Sequence, residues 1–441
     1  MEVIIDMEII RPAILAGFME LLPDEQIIFN KLKDIIRRNY ENYGFLPIDT
    51  PVLEREEILL AKGGGETQKQ MYSFTRGKSD IAMRFDLTVP LARYVAQHYS
   101  ELEFPFRRYH IGKVYRGERN QRGRFREFYQ CDIDIVGNNK LDIVNDAEIP
   151  SIIYSIFKEM NFGKFTIQIN NRRLLSGFFQ SLGIEDPAMV LRAIDKLDKI
   201  GEDKVREEIS QGGISPEIID RIMDFIKIGG SNQEILDRLD SLGIDNQVYQ
   251  SGLDELRTVS KYISLFGVPE DYYQINVTIA RGLDYYTGTI YETFLDDYRH
   301  IGSVCSGGRY DNLASNYTKQ ELPGVGISIG LTRLFDQLLH EGLLKIEKRA
   351  LTDILIIPMK DCTEEAVKLS SRLRPEGVNS QIYMEKAKMG KKFSYADRLN
   401  IPYVIVIGED EIKNQAYSLR NMETGDQEEV SFQEIVEKVL G

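Results

Sequence analysis

The sequence predicts an α+β protein with a helical insertion and a separate C-terminal α/β unit. Three observations support this prediction: an alternating hairpin over residues 107–136, an almost wholly helical stretch over about 172–262, and strands alternating with helices after residue 352. Hairpins around a sheet with helices on one side are typical of α+β units, whereas alternating strands and helices predict a mainly parallel, helix-covered sheet. The 441 residues suffice for about three domains.

The N-terminal elements follow from hydrophobic periodicity. Apolar residues at helical spacing after Asp24-Glu25 predict an amphipathic helix over 24–43. Residues 45–53 resemble a strand interrupted by prolines, residues 71–84 a strand–turn–strand, and residues 89–98 a helix.

The hairpin is the best-defined element. Residues 107–118 and 124–136 both alternate, and a polar loop over 119–123 joins them. Successive side chains of a strand point to opposite faces. One predicted face therefore carries Arg124, Arg126, Phe128, Gln130, Asp132 and Asp134, and the other carries Cys131, Ile133 and Ile135.

The rest of the first unit is predicted from weaker patterns. The expected elements are a helix over 142–159, a strand over 164–169, the helical insertion over about 172–262, strands over 274–280 and 289–294, Gly-rich turns at Gly307-Gly308 and through Gly324, Gly326 and Gly330, and a helix over 331–341.

The C-terminal unit begins after a charged link. We expect a first domain over 1–343, a linker over 344–351 and a second domain over 352–441. Within the second domain the predicted strands are 354–359, 380–384 and 403–408, the helices are 364–373 and 391–399, and a hairpin and a helix follow.

Composition excludes several classes of protein. Apolar residues make up 42% and charged residues 28% of the chain, as in ordinary globular domains. The longest apolar runs, such as 403–407, are too short to span a membrane, and acidic residues precede the first arginine, so we expect a cytoplasmic protein without membrane association. Three distant cysteines and four histidines give neither a disulfide framework nor zinc-ligand spacing.

The distribution of charge is uneven. The net charge is −14, yet residues 107–126 contain eight Lys/Arg against one Glu. Such a concentration favours an anionic partner, and the alternative is a solvated basic face.

Phosphate contacts are expected from arginines. Gly77-Lys78-Ser79 matches only the end of a P-loop, and no dinucleotide-binding glycine motif follows a convincing parallel strand. The guanidinium group suits forked contacts with phosphate oxygens. Three segments supply one: Tyr115-Arg116-Gly117-Glu118, residues 280–288 with Arg281, and residues 326–333 ending in Arg333.

In this order and spacing, these segments resemble the class II aminoacyl-tRNA synthetases, and among them the histidyl-tRNA synthetase family. Residues up to Pro51 resemble the first class motif, which forms the homodimer, Tyr115 to Gln130 the second, and Gly326 to Arg333 the third. Residues 281–288 and 307–311 resemble segments peculiar to the histidine enzymes. The last unit is similar to the anticodon-binding domain of several class II enzymes.

The resemblance implies a role for each matching residue. Arg116 and Arg281 would be catalytic. Further implied roles are ATP binding by Arg116, Glu118, Arg124 and Arg333; histidine binding by Asp86, Thr88, Gln130, Asp134, Arg281, Tyr285, Tyr286 and Tyr310; and contact with the acceptor end of tRNA by Arg119, Asn120, Gln121 and Arg122.

The chemistry implied is activation of L-histidine by ATP and transfer of histidine to the 3′ end of its tRNA. The attacking carboxylate is already ionised, so positioning and positive charge do the catalysis. Magnesium is expected to arrive with the nucleotide, and no structural metal is expected. For Asp134 alone, the alternative is a structural carboxylate bonded to a neighbouring arginine on the same face.

Two other functions are open to such a chain. A catalytically inactive, histidine-sensing regulatory subunit of ATP phosphoribosyltransferase shares the resemblance, but such relatives generally lack the anticodon-binding domain and the Arg281 equivalent. A nucleic-acid-binding module without catalysis would leave the arginines and carboxylates at substrate spacing unexplained.

Overall fold

The computed structural model describes residues 10–61, 65–118, 123–194, 196–279, 286–346, 349–414 and 416–441. The chain divides into two compact units. The first comprises Lys33–Leu343 with the described residues before Glu20, and the second comprises Glu20–Leu32 and Leu344–Gly441.

The described chain contains the following strands and helices. The strands are β1 (Leu46–Pro47), β2 (Leu53–Arg55), β3 (Ser73–Arg76), β4 (Ser79–Met83), β5 (Phe106–Tyr115), β6 (Glu127–Val136), β7 (Phe165–Asn171), β8 (Tyr273–Ile275), β9 (Thr289–Leu295), β10 (Cys305–Tyr310), β11 (Gly324–Gly330), β12 (Ile354–Pro358), β13 (Ser380–Ile382), β14 (Tyr403–Ile407), β15 (Tyr417–Asn421) and β16 (Gln427–Val430). The helices are α1 (Pro23–Asn42), α2 (Glu56–Leu60), α3 (Gly65–Gln70), α4 (Thr88–Gln97), α5 (Val144–Met160), α6 (Arg172–Ser181), α7 (Ala188–Ile194), α8 (Leu197–Ile200), α9 (Glu202–Gln211), α10 (Pro216–Ile226), α11 (Asn232–Ser241), α12 (Gln247–Leu265), α13 (Leu331–His340), α14 (Thr363–Leu373), α15 (Met389–Arg398), α16 (Glu409–Asn414) and α17 (Phe432–Leu440).

An eight-stranded sheet organises the first unit. Its strand order is β1-β5-β6-β11-β10-β9-β7-β8. The six strands from β5 to β7 in this order are antiparallel to one another. The two outer strands, β1 and β8, run parallel to β5 and β7. A second sheet, β2-β4-β3, contains the predicted strand–turn–strand over 71–84.

The two faces of the central hairpin differ as the alternation predicts. Cys131, Ile133 and Ile135 are fully buried on the apolar face, where the Tyr40 hydroxyl of α1 donates to the Cys131 carbonyl oxygen at 2.9 Å. Residues paired directly across strands share a face. The opposite, polar face therefore carries two rows across the sheet: His110, Asp132, Ser328, Ser306 and Glu292, and Arg108, Asp134, Gly326, Gly308 and Ile290.

A buried ion pair links the apolar face to α5. The Arg309 guanidinium of β10 donates to the Asp146 carboxylate at 2.7–3.1 Å, and the Thr289 hydroxyl donates to the same carboxylate at 2.6 Å. Burial raises the pKa of Asp146, and Arg309 opposes that rise. The pair therefore fixes β9 and β10 to α5 without leaving either charge uncompensated.

The helical prediction for residues 172–262 is confirmed, since α6 to α12 lie between Arg172 and Leu265. Two helices of this region approach closely because each presents a glycine to the other. A Cβ on Gly177 of α6 would overlap Tyr249, and a Cβ on Gly252 of α12 would overlap Leu174.

Three predicted elements of the first unit are wrong. The Gly-rich segments predicted as turns form β10 and β11 in the middle of the sheet, where neighbouring groups fill the space above Gly308, Gly324 and Gly326. The strand predicted over 274–280 ends at Ile275. Of the strand predicted over 45–53, only Leu46–Pro47 and the first residue of β2 are in strands.

The second unit is an α/β domain around the sheet β13-β12-β14-β15-β16. β12 pairs in parallel with β13 and β14, and the predicted hairpin adds β15 and β16 antiparallel. Apolar clusters lie on both faces: Ile354 and Ile356 pack with Leu369 of α14, and Leu355 and Ile357 pack with Ala396 of α15.

Candidate active site

A cavity of about 360 Å³ opens on the first unit beside the end of the central hairpin. Five residues predicted from the sequence line it: Arg116, Glu118, Arg124, Gln130 and Arg333. They come from β6, from α13 and from the chain beyond the ends of β5 and β6, so the fold brings together residues that are far apart in the sequence. The other lining residues are Gly123, Phe125, Phe128, Ser303, Val304, Cys305, Ser306, Ser328, Gly330 and Leu334.

Neighbouring groups hold each arginine of the cavity. The Arg116 Nε donates to the Phe85 carbonyl oxygen at 2.9 Å, and its guanidinium carbon lies 5.2 Å from the Phe128 ring centroid. The Arg333 Nη2 donates to the Ile301 carbonyl oxygen at 2.5 Å. Each arginine is thus anchored through part of its guanidinium group while it lines the cavity.

The third arginine of the cavity is held more weakly. Arg124 pairs with Glu118 at 3.3 Å, and the Arg124 side chain is 61% exposed. Such exposed pairs contribute about 0–1 kcal/mol, so an incoming ligand can replace this contact at little cost.

Three polar side chains of the predicted histidine pocket each lie above a glycine of a neighbouring strand. A Cβ on Gly326 would overlap the Asp134 carboxylate, and one on Gly324 would overlap the Tyr310 ring. A Cβ on Gly308 would lie 2.8 Å from the Tyr286 ring. The glycines of β10 and β11 therefore provide the space that the pocket side chains occupy.

The Asp134 carboxylate has two partners. The Tyr310 hydroxyl donates to its Oδ1 at 2.8 Å, and Arg108 contacts its Oδ2 as an ion pair. The first contact is expected for a histidine pocket, and the second corresponds to the structural alternative for Asp134. Both are present on the same carboxylate.

Burial dominates the protonation of the pocket carboxyl groups. It raises the pKa of Asp134 to about 6 and that of Asp132 to about 7, and nearby Arg108 opposes both rises. Burial also raises the pKa of Asp86, against the opposing effects of the Val89 amide and Arg116. The pocket thus contains three carboxyl groups whose charge depends on adjacent cations.

The residues predicted to bind the α-amino group lie in the same region. Asp86 precedes α4, and its Oδ1 accepts from the Val89 amide at 3.0 Å, while Thr88 is the first residue of that helix. Asp86 also interacts electrostatically with Asp134. The Gln130 amide donates to the Ser328 hydroxyl at 2.8 Å, which fixes the side chain at the inner end of the cavity.

Six predicted residues lie outside the described part of the chain. They are Arg281 and Tyr285, and Arg119, Asn120, Gln121 and Arg122 of the hairpin loop. Next to Tyr286, a second cavity of about 200 Å³ is lined by Ile279, Tyr286, Ile290, Tyr291, Glu292, Ser306 and Gly307.

The basic run over 107–126 is not a uniformly solvated face. Arg107 pairs with Glu148 at 2.9 Å, Lys113 pairs with Glu127 at 2.7 Å, and Arg108 is buried against Asp134. Counting charges along the sequence missed these pairs because the acidic partners come from β6 and α5.

Sequence reasoning also missed Arg108 and Phe128 as parts of the site. The sequence signal for Arg108 was the alternation of Arg108 and His110 along β5, whereas their position opposite Asp134 and Asp132 of β6 follows from the register of the hairpin. Phe128 lies on the predicted polar face, and the guanidinium of Arg116 lies over its ring at cation–π distance.

The described residues hold no group of three His, Cys, Asp or Glu side chains arranged to bind a metal ion. Nor does this part of the chain include a helix long and apolar enough to cross a membrane.

The antiparallel sheet, the arginine-lined cavity and the C-terminal α/β unit together define a class II aminoacyl-tRNA synthetase. A family model described as "Histidyl-tRNA synthetase" matches residues 17–334, and one described as "Anticodon binding domain" matches residues 353–441. The chain belongs to the histidyl-tRNA synthetase family.

Individual relatives agree with this assignment. The chain is 59% identical to "Histidine--tRNA ligase" of Clostridium tetani over 97% of its own length and 98% of that protein, and 51% identical to that of Finegoldia magna over 98% and 100%. The crystal structure of histidyl-tRNA synthetase from Nostoc sp. PCC 7120 matches with a TM-score of 0.92 at 42% identity, covering 98% of this chain and 99% of that one.

The alternative function, that of a histidine-sensing regulatory subunit, is less supported by these comparisons. A structure described as "ATP phosphoribosyltransferase regulatory subunit/histidyl-tRNA synthetase" from Bacillus halodurans matches with a TM-score of 0.73 at only 21% identity, covering 88% of this chain and 97% of that one. Identity this low shows a shared fold and nothing about activity.

Proposed function

We propose that this enzyme joins L-histidine to its tRNA in two steps. The histidine carboxylate attacks the α-phosphorus of ATP, a new phosphorus–oxygen bond forms, and pyrophosphate leaves. A hydroxyl at the 3′ end of the tRNA then attacks the carbonyl carbon of the adenylate, and AMP leaves. The observation that carries this proposal is the cavity in which Arg116, Glu118 and Arg333 converge beside the Asp134 pocket.

The cavity arginines stabilise the charge that develops on the phosphates. Arg116 contacts the α-phosphate, and Arg124 and Arg333 hold the triphosphate from opposite sides. Preorganised donors aimed at developing negative charge are the largest catalytic contribution in many enzymes. The anchoring of Arg116 and Arg333 by the Phe85 and Ile301 carbonyl oxygens supports this role, because anchored donors need little reorganisation during the reaction.

The remaining substrate contacts divide between adenine and histidine. Glu118 accepts from the adenine amino group, and Arg281 contacts the α-phosphate and the histidine carboxylate. Asp86, Thr88 and Gln130 bind the α-amino group. The imidazole lies between Asp134, Tyr285, Tyr286 and Tyr310.

The other substrates and partners follow from this chemistry. Magnesium arrives with ATP. The acceptor end of the tRNA contacts Arg119, Asn120, Gln121 and Arg122, and residues 352–441 bind the anticodon, joined to the catalytic domain over 1–343 by the linker at 344–351. Because tRNA and ATP are both available there, the enzyme acts in the cytoplasm.

The first unit forms a homodimer through its N-terminal part. Large apolar side chains are exposed there, including Leu15, Leu46 and Phe74, which are 72%, 60% and 46% exposed. Their exposed apolar surface is available to be buried against a second copy of the chain. Sedimentation analysis should give twice the chain mass of 50.7 kDa, and a single-chain mass at micromolar concentration would contradict the dimer.

ATP–pyrophosphate exchange with each amino acid in turn tests the activity. Exchange should occur with histidine, and other amino acids should be slower by about 10⁴-fold or more, as for sites that hydrogen-bond their substrate. Charging of histidine tRNA should follow. A regulatory subunit would bind histidine but show neither exchange nor charging, and exchange with another amino acid would contradict the proposed substrate.

A further inference from the structure

Arg108 is the largest fully buried side chain of the described chain. It lies in the middle of β5, directly opposite Asp134 of β6, and pairs with the Asp134 Oδ2. Its Nε, Nη1 and Nη2 have no hydrogen-bond partner among the described residues, and Nη2 is the atom in ion-pair contact with Asp134. A buried guanidinium is costly unless it is fully paired, so stability alone does not account for its position.

The surroundings of Arg108 are mostly acidic. It interacts electrostatically with Asp86, Asp132 and Asp134, and in each case it favours the ionised carboxylate. The neighbouring His110 adds no positive charge beside Arg108, because burial and then Arg108 and Arg84 lower its pKa to about 3.

The remaining groups that face Asp134 are acidic or neutral. Tyr310 donates a hydrogen bond to it, Tyr286 is close enough to interact with it, and Asp86 and Asp132 repel its charge. Among these groups, Arg108 is the source of positive charge. Without it, several carboxyl groups close together and shielded from water would retain protons at neutral pH.

An imidazole ring needs a charged, oriented acceptor in this pocket. Tyr310 takes one lone pair of the Asp134 Oδ1 through its hydrogen bond, and Arg108 forms an ion pair with the other oxygen, Oδ2. A carboxylate has about four acceptor positions, so each oxygen can still accept an N–H of the ligand. The ion pair on Oδ2 and the hydrogen bond on Oδ1 together hold the carboxylate in this orientation.

We propose that Arg108 is the positioning residue for imidazole recognition, and that its guanidinium holds the Asp134 carboxylate ionised and in the orientation that accepts an imidazole N–H. This inference rests on the proposed function and deepens it, since Arg108 determines specificity without contacting the substrate.

Steady-state ATP–pyrophosphate exchange with Arg108→Met tests the proposal. The KM for histidine should rise at least about 30-fold, since losing one partner of a buried charge pair typically weakens binding by that much or more. The KM for ATP should stay within about threefold, because the Arg116 and Arg333 contacts remain. The ratio of histidine KM between variant and wild type should fall as pH rises from 7 to 9, because Asp134 regains its charge.

A double-mutant cycle separates positioning from a general structural role. In an Asp134→Asn background, Arg108→Met should change the histidine KM by less than about threefold, because the group that it positions is already neutral. Arg107→Met is the matched control: Arg107 precedes Arg108 on β5 but pairs with Glu148 on the opposite face. Its histidine KM should remain near that of the wild type.

Arg108→Lys serves if the methionine variant does not fold. Lysine retains the positive charge but not the forked guanidinium, so the histidine KM of Arg108→Lys should lie between those of wild type and Arg108→Met. If only the lysine variant is soluble, its histidine KM should be about 3- to 10-fold above that of wild type. An unchanged histidine KM in either variant, or equal effects in both backgrounds of the cycle, overturns the proposal. If the wild type exchanges with histidine in that case, only this inference fails; if the wild type does not, the proposed function fails with it.

Discussion

Asp132 shows how a single buried carboxyl group makes stability depend on pH. It is 3% exposed, its Oδ1 has no hydrogen-bond partner among the described residues, and burial raises its pKa from 3.8 to about 7. The folded state therefore holds this proton more tightly than the unfolded chain does. Between about pH 4 and pH 7, the contribution of Asp132 to the free energy of unfolding falls as pH rises.

Asp132→Asn should remove this loss of stability with rising pH, because asparagine carries no titrating carboxyl group. The stability of the variant relative to wild type should increase between pH 4 and pH 7, approaching about 4 kcal/mol at about 1.4 kcal/mol per pKa unit. Urea denaturation at several pH values measures it. Ile133→Val, on the opposite face of β6, should cost about 0.5–1.5 kcal/mol at every pH. A relative stability of Asp132→Asn that is flat or falls with pH would contradict the raised pKa.

Arg281 carries the residue-scale prediction for catalysis. The resemblance of residues 281–288 to the histidine enzymes implies that its guanidinium would contact the α-phosphate. Losing one preorganised donor of this kind typically costs about 10²–10³ in rate. Arg281→Ala should therefore lower the exchange rate by at least that factor, with an unchanged circular dichroism spectrum and melting temperature. Near-normal exchange would remove Arg281 from the mechanism.

At the scale of elements, β11 is a strand in which Gly324 and Gly326 are required by their neighbours. Gly326 lies between Asp134 and Gly308, and a Cβ there would overlap both the Asp134 carboxylate and the Ile133 carbonyl oxygen. The Ile133 carbonyl oxygen belongs to β6 and cannot move without breaking the pairing between β6 and β11. Gly330, at the end of the same strand, has no atom within 4 Å of such a Cβ.

Gly326→Ala should destabilise the protein by about 1–3 kcal/mol, the usual cost of overpacking, and should also raise the KM for histidine. Gly330→Ala is the control for stability and should change the free energy of unfolding by no more than about 0.5 kcal/mol. Thermal denaturation of both variants, with exchange assays on Gly326→Ala, measures these effects. Equal stability of the two alanine variants would contradict the predicted overpacking at Gly326, because it would show that β6 and β11 accommodate the added methyl group without cost.

The sequence predicted those elements whose signal is local. The amphipathic pattern of α1 and the two-residue alternation of β5 and β6 result from burial of one face. Each pattern is therefore visible within a short stretch of the sequence. The glycines of β10 and β11 carry no such pattern, because Gly308, Gly324 and Gly326 make room for groups that are distant in the sequence. The pairing of Arg108 with Asp134 likewise depends on the register of the hairpin, which alternation alone does not determine.

At the scale of the whole molecule, the chain carries a net charge of −14, although its partner, tRNA, is itself a polyanion. The second unit has a basic segment in which Lys386, Lys388, Lys391 and Arg398 are exposed. Lys392 of the same segment is buried and donates toward the Pro358 carbonyl oxygen at 3.5 Å, so it belongs to the core of the unit. Binding of tRNA to an acidic protein then depends on a few local contacts with phosphates.

The KM for tRNA in charging should therefore rise steeply between 50 and 200 mM salt, while histidine-dependent exchange, which needs no tRNA, should change much less. Lys388→Gln should reduce the slope of log KM against log salt by about 1, the effect of one phosphate contact. Lys413→Gln, at an exposed lysine of α16, is the control and should leave the slope unchanged. Equal slopes for wild type and Lys388→Gln would place the phosphate contacts elsewhere. A KM for tRNA that does not respond to salt would mean that charge contributes little to tRNA binding, and recognition would then depend mainly on contacts with the bases.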